Sequence, residues 1–271
     1  MAGYISINAV GFSYGDETVL DRLSLDIGRG EFVAVIGPSG CGKSTLIRLL
    51  AGLIFPREGT VTVGGTAIPG PGLDRAVVFQ DYSLFPWMNC RDNVALALEQ
   101  AGLGASRIDR NSIAEKYLDM VDLHGVGAKL PGELSGGMRQ RIAIARALAQ
   151  SAPILLMDEP FGALDEITRA NQQDLLLQLW QDGGSSGKTV LFVTHDVEEA
   201  LILSDRVILL GMRPCRIAYE MTVCLPRPRS HNSALYHRNF AALRNELLDQ
   251  LNRVVTDSIE SRCYTTDGAG I

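Results

Sequence analysis

An α/β fold with buried parallel strands is what this sequence predicts, on three observations. An apolar run, Phe32-Val33-Ala34-Val35-Ile36, leads into the glycine-rich stretch Gly37-Pro38-Ser39-Gly40-Cys41-Gly42-Lys43-Ser44-Thr45 and then into a helix-like segment, Leu46 to Gly52. Two further apolar runs, Ile154 to Met157 and Thr189 to Val193, each end in polar residues: Asp158-Glu159 and Thr194-His195-Asp196. Unbroken runs of this kind read as strands covered on both faces, the habit of parallel sheets. Residues 91–150, between the β segments, carry apolar residues at helical spacing.

The stretch from Gly37 to Thr45 fits G-x-x-x-x-G-K-[ST] in the strand–turn–helix context that pattern needs. The glycines let backbone N–H groups turn inward around an anion with no Cβ in the way. The helix N-terminus adds unpaired donors and a partial positive charge. Lys43 would reach the β- and γ-phosphates, and the Ser44 hydroxyl would ligate Mg²⁺. Cys41 reads as a small filler within the loop.

Taken in order, Ile5 to Val10 and Leu23 to Ile27 alternate apolar and polar and read as strands. Phe12-Ser13-Tyr14-Gly15 leads into a turn, where an aromatic would stack on an adenine face or pack in the core. Thr60 to Val63 and Ala76 to Phe79 read as strands flanking a Gly64-Gly65 turn. Gln80, at a strand end, is a candidate Mg²⁺ contact or a solvated loop residue. Leu84-Phe85-Pro86-Trp87-Met88 places bulky apolar groups in a loop, as a partner surface or as core.

Val94, Leu96, Leu98 and Leu103 form one helical set, and Ile113, Tyr117, Leu118, Val121 and Leu123 another. Leu134-Ser135-Gly136-Gly137-Met138 opens a helix over Arg139 to Gln150, with Ser135 as N-cap and a second possible phosphate seat. Ligands in α/β sheets bind at the carboxyl ends of strands, where Asp158, Glu159 and His195 fall. Asp158 suits outer-shell coordination of Mg²⁺, and Glu159 suits polarising a water for attack on the γ-phosphate. His195, on the same edge, would contact that phosphate. Gly162-Ala163-Leu164-Asp165 reads as a turn before a helix over Glu166 to Asp182, and Val197 to Leu203 reads as another. Beyond Leu225, Pro226-Arg227-Pro228-Arg229-Ser230 reads as a linker, Leu235 to Val255 as one amphipathic helix, and Thr256 to Ile271 as a frayed tail.

The chain has 271 residues, 46% of them hydrophobic and 21% charged, enough for a full α/β core. A net charge of -6 argues against non-specific nucleic-acid binding. No apolar run reaches membrane-spanning length, and the first residues lack the pattern of a signal peptide. The cysteines, Cys41, Cys90, Cys215, Cys224 and Cys263, are scattered, which suggests neither a disulfide frame nor a zinc site and fits a reducing cytosol.

In this order the segments resemble the nucleotide-binding subunit of an ABC transporter over nearly the whole chain up to about residue 225. The likeness rests on Gly37 to Thr45 (Walker A), Gln80 (Q-loop), Leu134 to Gly137 (signature), Ile154 to Glu159 (Walker B and its Glu), Ala163-Leu164-Asp165 (D-loop) and His195 (switch His). Tyr14 falls where that family carries its adenine-stacking aromatic. Met138 departs from the commonest Gln of the signature, and Gly162 stands where Ser is common before Ala-Leu-Asp; neither removes a charge needed for chemistry. Gly70 to Gln80, Leu84 to Trp87, Asp92-Asn93-Val94 and Glu159 to Asp165 look like nitrate, sulfonate and taurine importer ATPases.

The resemblance implies a P-loop ATPase core over residues 1–225 with an antiparallel β subdomain and a helical insertion at about 88–150, followed by the C-terminal segment 226–271. It implies ATP bound by Tyr14, by Gly37 to Thr45 and by Asp158, with Mg²⁺ held by Ser44 and Gln80 and Asp158 in the outer shell. Glu159, His195 and Gln80 would be catalytic. Ser135, Gly136, Gly137 and Met138 would contact the nucleotide of a second copy, facing head to tail, with Asp165 at the junction. The implied partners are two membrane permease subunits, met by Leu84, Phe85, Pro86 and Trp87 at the cytoplasmic face of the membrane, and indirectly a solute-binding protein, with no nucleic acid. The solute would be a small oxyanion or sulfonate. A soluble ABC clamp without a transport role is the alternative; such chains usually carry two cassettes or a long coiled-coil insertion.

Overall fold

The computed structural model describes residues 3–181 and 187–266, the stretch 258–266 as backbone only. Strands β1 (Ile5–Tyr14), β2 (Glu17–Ile27), β4 (Glu58–Val63) and β5 (Thr66–Ala67) form an antiparallel sheet in the order β2-β1-β4-β5. The second sheet contains β3 (Phe32–Ile36), β6 (Arg75–Val78), β7 (Ile154–Asp158), β8 (Thr189–Val193), β9 (Arg206–Leu210) and β10 (Ile217–Thr222), ordered β10-β9-β3-β8-β7-β6. Its pairings are parallel except β9 with the edge strand β10.

The apolar runs do what continuous runs do in a sheet covered on both sides. Phe32, Ala34 and Ile36 of β3, with Val190 and Phe192 of β8, join one core beneath the helices. Val33, Val35, Leu191 and Val193 face the other way, onto helix α1 (Lys43–Leu50) and the antiparallel sheet. The period of two therefore splits each strand between two cores.

The helical insertion contains α2 (Cys90–Gln100), α3 (Arg107–Met120) and α4 (Gly136–Ala149), with a single 3-10 turn at Pro131–Glu133. Polar caps start these helices. Asn89 accepts from the Asp92 N–H, Ser106 from Asp109 and Ser135 from Met138. Helices α5 (Glu166–Gln181) and α6 (Val197–Leu203) cover the sheet after β7 and β8. Asp182, the expected end of the first of these, lies outside the described residues.

The C-terminal segment corrects the sequence reading in three ways. Residues 226–230 are not a free linker. Arg229 is buried and donates to the carbonyls of Leu201 (2.8 Å) and Ser204 (3.0 Å), while Arg227 stacks 4.3 Å from the Trp180 ring and pairs with Asp205. The single helix expected over Leu235 to Val255 is two: α7 (His231–Leu235) and α8 (Phe240–Thr266), separated by a turn. The apolar period reads across that turn because Ala234 and Phe240 are both buried in the same core. The tail expected to fray stays helical to Thr266, for no glycine or proline interrupts it before Gly268. Residues 267–271 lie outside the described residues.

Candidate active site

Parallel register builds the site. Asp158 at the end of β7 pairs with Val193 at the end of β8, and Val193 in turn pairs with Val35 of β3. Three strands thus end together, and their continuations are forced onto one edge: the glycine-rich loop, Glu159, and Thr194-His195. The Glu159 N–H donates to the Val193 carbonyl (2.9 Å), and the Thr194 N–H to Val35 (3.1 Å), extending the ladder into the loops.

The glycine-rich loop is pre-shaped. Gly37 has φ 155°, and a Cβ there would meet the Leu210 carbonyl oxygen at 2.8 Å. Gly42 caps α1 with φ 118°, and a Cβ would press on Leu20 and Val19 at 3.0 and 3.1 Å. Both positions need glycine. Lys43 is buried and folds back, its Nζ donating to the Gly37 (2.8 Å) and Pro38 (3.0 Å) carbonyls. That arrests the ammonium over the loop, where an anion would take it up without a rotamer search.

A cavity of about 560 Å³ opens there, lined by Ser39, Gly40, Gly42, Lys43, Ser44, Thr45, Gln80, Glu159, His195 and Arg213. Glu159 has φ 48°, a conformation costing a non-glycine residue about 1–3 kcal/mol and concentrated at functional sites. Its Oε2 lies 3.2 Å from Nδ1 of the mostly exposed His195. Beside this cavity, Ser44, Gln80 and Asp158 border a second one with Arg48. Burial pushes the Asp158 carboxyl up, against a lowering hydrogen bond from Ser44, with Glu159 adding to the rise. A hydroxyl, an amide and a crowded carboxylate are the oxygen donors a hard divalent cation takes, so these residues fit Mg²⁺.

Other expected residues fall elsewhere. Cys41 is buried in the core below the loop, its thiol drawn down to about 7 by a hydrogen bond from Cys215 and, against burial, by the charge of Lys43. Tyr14 is half exposed, edge-on to Phe12 at 4.9 Å and 3.5 Å from Arg48, and does not border the cavity. Ser135, Gly136, Gly137 and Met138 also stand outside it. Ser135 is exposed at the N-terminus of α4, and a Cβ on Gly137 would lie 3.1 Å from the Ala163 carbonyl oxygen. Asp165 is exposed and caps α5, its carboxyl held low by the backbone and side chain of Thr168. The serine–glycine corner and the Asp165 turn therefore form one outward surface.

The loop after Gln80 faces out as well. Trp87 is 74% exposed and rests on half-buried Phe85 at 5.5 Å, Pro86 is exposed, and Leu84 packs against the core. Leu73, Phe79, Phe85, Leu96 and Ala147 line a groove of about 480 Å³ next to it. Asn93, fully buried, clamps this loop: its Oδ1 accepts from the Phe85 N–H (2.8 Å), and its Nδ2 meets the carbonyls of Phe85, Met88 and Asn89. An Asn93→Leu variant orphans those groups and should lower unfolding stability by about 1–3 kcal/mol per unpaired buried group. The check is denaturant unfolding together with the Trp87 fluorescence maximum; a parental curve and spectrum would dismiss the clamp.

Sequence reasoning missed Arg213 and Arg146. Arg213 lines the cavity, donates to the Gly40 carbonyl (2.6 Å) and pairs with Glu17. Nothing near Pro214 marks it in the sequence. Arg146 ties α4 to the loop after Gln80 by donating to the Ser83 (2.6 Å) and Tyr82 (3.2 Å) carbonyls. Its place on the inner side of α4 was the available signal.

Residues 20–162 match the protein-family model described as "ABC transporter". A Brucella abortus protein named for ATP binding is 50% identical over 243 residues, 90% of this chain and 91% of its own. The bicarbonate transport ATP-binding protein CmpC of Synechocystis is 46% identical over 240 residues, 88% of this chain and 36% of its own length. The nitrate import ATP-binding protein NrtC of Synechococcus elongatus is likewise 46% identical over 240 residues, with 88% and 36% covered. A solved dimeric ATP-binding cassette in a post-hydrolysis state, bound to ADP and Pi, matches with a TM-score of 0.73 and 32% identity, over 82% of this chain and 100% of that one.

Proposed function

The chain belongs to the ABC transporter family, and on that premise we propose that its ATP hydrolysis drives uptake of a small oxyanion through a membrane complex. The observation that carries the hydrolytic part is the single cavity holding Lys43, Ser44, Gln80, Glu159 and His195. The cargo reading is supported by relatives named for bicarbonate and nitrate, both small oxyanions.

In this reading the backbone donors of Ser39 to Thr45 and the Lys43 ammonium hold the triphosphate. Mg²⁺, held by Ser44 and Gln80 with Asp158 behind them, would neutralise charge on the phosphate oxygens. Glu159 orients a water and takes its proton as oxygen attacks the γ-phosphorus and the bond to the bridging oxygen breaks. His195, 3.2 Å from Glu159, would face the same phosphate. Tyr14 would meet the adenine.

Two copies would complete the site. Ser135 to Met138 of one copy would close over the nucleotide of the other, with Asp165 beside it; the match to a dimeric cassette supports this. The Phe85–Trp87 corner and its groove would seat a short apolar helix of each permease. Among the described residues no helix is long and apolar enough to cross a membrane. As in a complex of the kind its relatives are named for, the chain would attach peripherally, at the cytoplasmic face, and a solute-binding protein would deliver cargo from the far side.

The test is reconstitution of the chain with its co-purifying membrane proteins in vesicles. Nitrate or bicarbonate should stimulate phosphate release several-fold, and EDTA should abolish it. Turnover indifferent to small anions would overturn the cargo. Recovery of the chain from cells with no membrane partner would favour a nucleotide-driven clamp instead.

A further inference from the structure

Thr194, next to His195, is held from behind by a buried chain of hydrogen bonds. Its hydroxyl donates to Oε2 of Glu199 (2.6 Å) and accepts from the Asp196 N–H (3.0 Å). Asp196 caps α6 through the Glu198 and Glu199 N–H groups, so both neighbours of His195 are fixed to the first turn of that helix. The other carboxylate oxygen of Glu199 accepts from Nε2 of Gln173, on α5, at 3.2 Å. Oε1 of Gln173 lies 2.8 Å from Nδ1 of His231, at the start of α7. Thr194, Glu199 and Gln173 are 1%, 6% and 1% exposed.

The direction of this chain is fixed by chemistry. A carboxylate accepts, so Gln173 turns its NH₂ toward Glu199 and its carbonyl oxygen toward His231. His231 must then carry a proton on Nδ1. The His231 N–H also donates to the Asp174 carboxylate (2.5 Å), which sets the ring's position from α5. Arg229, two residues earlier, holds the carbonyls at the far end of α6. The C-terminal segment thus grips α6 at one end through Arg229 and at the other through His231, Gln173 and Glu199. None of these residues lines the nucleotide cavity.

We propose that His231, acting through Gln173 and Glu199, is a positioning residue for His195, so that the C-terminal segment sets the turnover rate without touching nucleotide. The inference rests on the role given above to His195. The acting segment is the chain's own residues 226–235, and anything that lifts it would slow hydrolysis.

The test uses the full chain with Mg-ATP. His231→Ala should lower kcat by about 2- to 30-fold, the span of coupling through packed networks, with the KM for ATP within about two-fold of parent. His231→Asn, which keeps a donor near the Nδ1 position, should restore at least half of the loss. In spectra of histidine-labelled protein the His195 resonance should shift in His231→Ala and not in Tyr236→Ala, a change at a residue 88% exposed. If His195→Ala leaves kcat at the parental value, the role of His195 fails. If His195→Ala is inactive while His231→Ala keeps parental kcat and an unmoved His195 resonance, the relay fails. Should His231→Ala not fold, Gln173→Met breaks the chain at similar volume, and the same two readouts decide.

Discussion

Glu159→Gln should bind ATP and all but stop hydrolysing it, with phosphate release down by about 10²- to 10⁴-fold, the usual worth of a positioned general base. The substitution keeps the shape and removes the charge and the proton acceptor. Backbone geometry should survive, because the Glu159 N–H is held by Val193 and the φ of 48° is imposed by the strand ends around it. Two electrostatic consequences point the same way. Glu159 is one of the charges raising the Asp158 carboxyl, so its loss eases ionisation of Asp158 and with it cation binding. The negative charge that Glu159 would set against the γ-phosphate also disappears, so the loaded state should be less strained. The variant should therefore accumulate as an ATP-bound dimer, seen by light scattering, and release phosphate only at that residual rate. Parental turnover would sink the assignment of Glu159.

Ser135→Arg is the second large effect, and it should leave the chain's own nucleotide cavity intact. Ser135 is exposed, outside that cavity, and caps α4 by accepting from the Met138 N–H at 3.3 Å. Losing the cap costs about 1 kcal/mol of stability. In the proposed dimer, a guanidinium and its bulk at this corner would do far more, through a clash with the neighbour's phosphate and the blocked N–H groups of Gly136 and Gly137. ATP should bind with parental affinity while turnover falls by about two orders of magnitude, as for loss of preorganised donors. The decisive form of the experiment mixes two inactive variants. A Lys43→Ala copy has a damaged loop and an intact Ser135 corner, and a Ser135→Arg copy the reverse. If sites are shared head to tail, each mixed dimer contains one site with both halves whole, and activity returns on mixing. No recovery, or a Ser135→Arg protein that turns over normally by itself, would mean each chain works alone.

Much of this is legible in the sequence alone. Gly37 to Thr45 announces its turn because glycine spacing, Lys43 and Ser44 answer one local need, the cradling of an anion. Ser135 as N-cap, the helix from Val197 to Leu203 and the buried strands at Ile154 and Thr189 are likewise local patterns, and they appear where the sequence puts them. The segment at Pro226 misled for an instructive reason. Proline and arginine are usual in solvated linkers, and only the carbonyls of Leu201 and Ser204, more than twenty residues away, make Arg229 an interior residue. Arg213 escaped for the same reason, its partners Glu17 and Gly40 lying far back in the chain.

The sequence by itself determined the menu: which stretches are strands or helices, which loop has the glycine spacing to cradle an anion, and which acids and histidine stand at strand ends. Only the tertiary structure decided who meets whom: Glu159 with His195 across 36 residues, Gln173 with His231 across 58, Ser135 outside the cavity that holds its own Lys43. The division is physical. Periodicity, capping and glycine geometry are settled within a few bonds of backbone. Sheet order, register and the burial that brings distant side chains together are set by packing the whole chain at once, and no short window of residues contains that information.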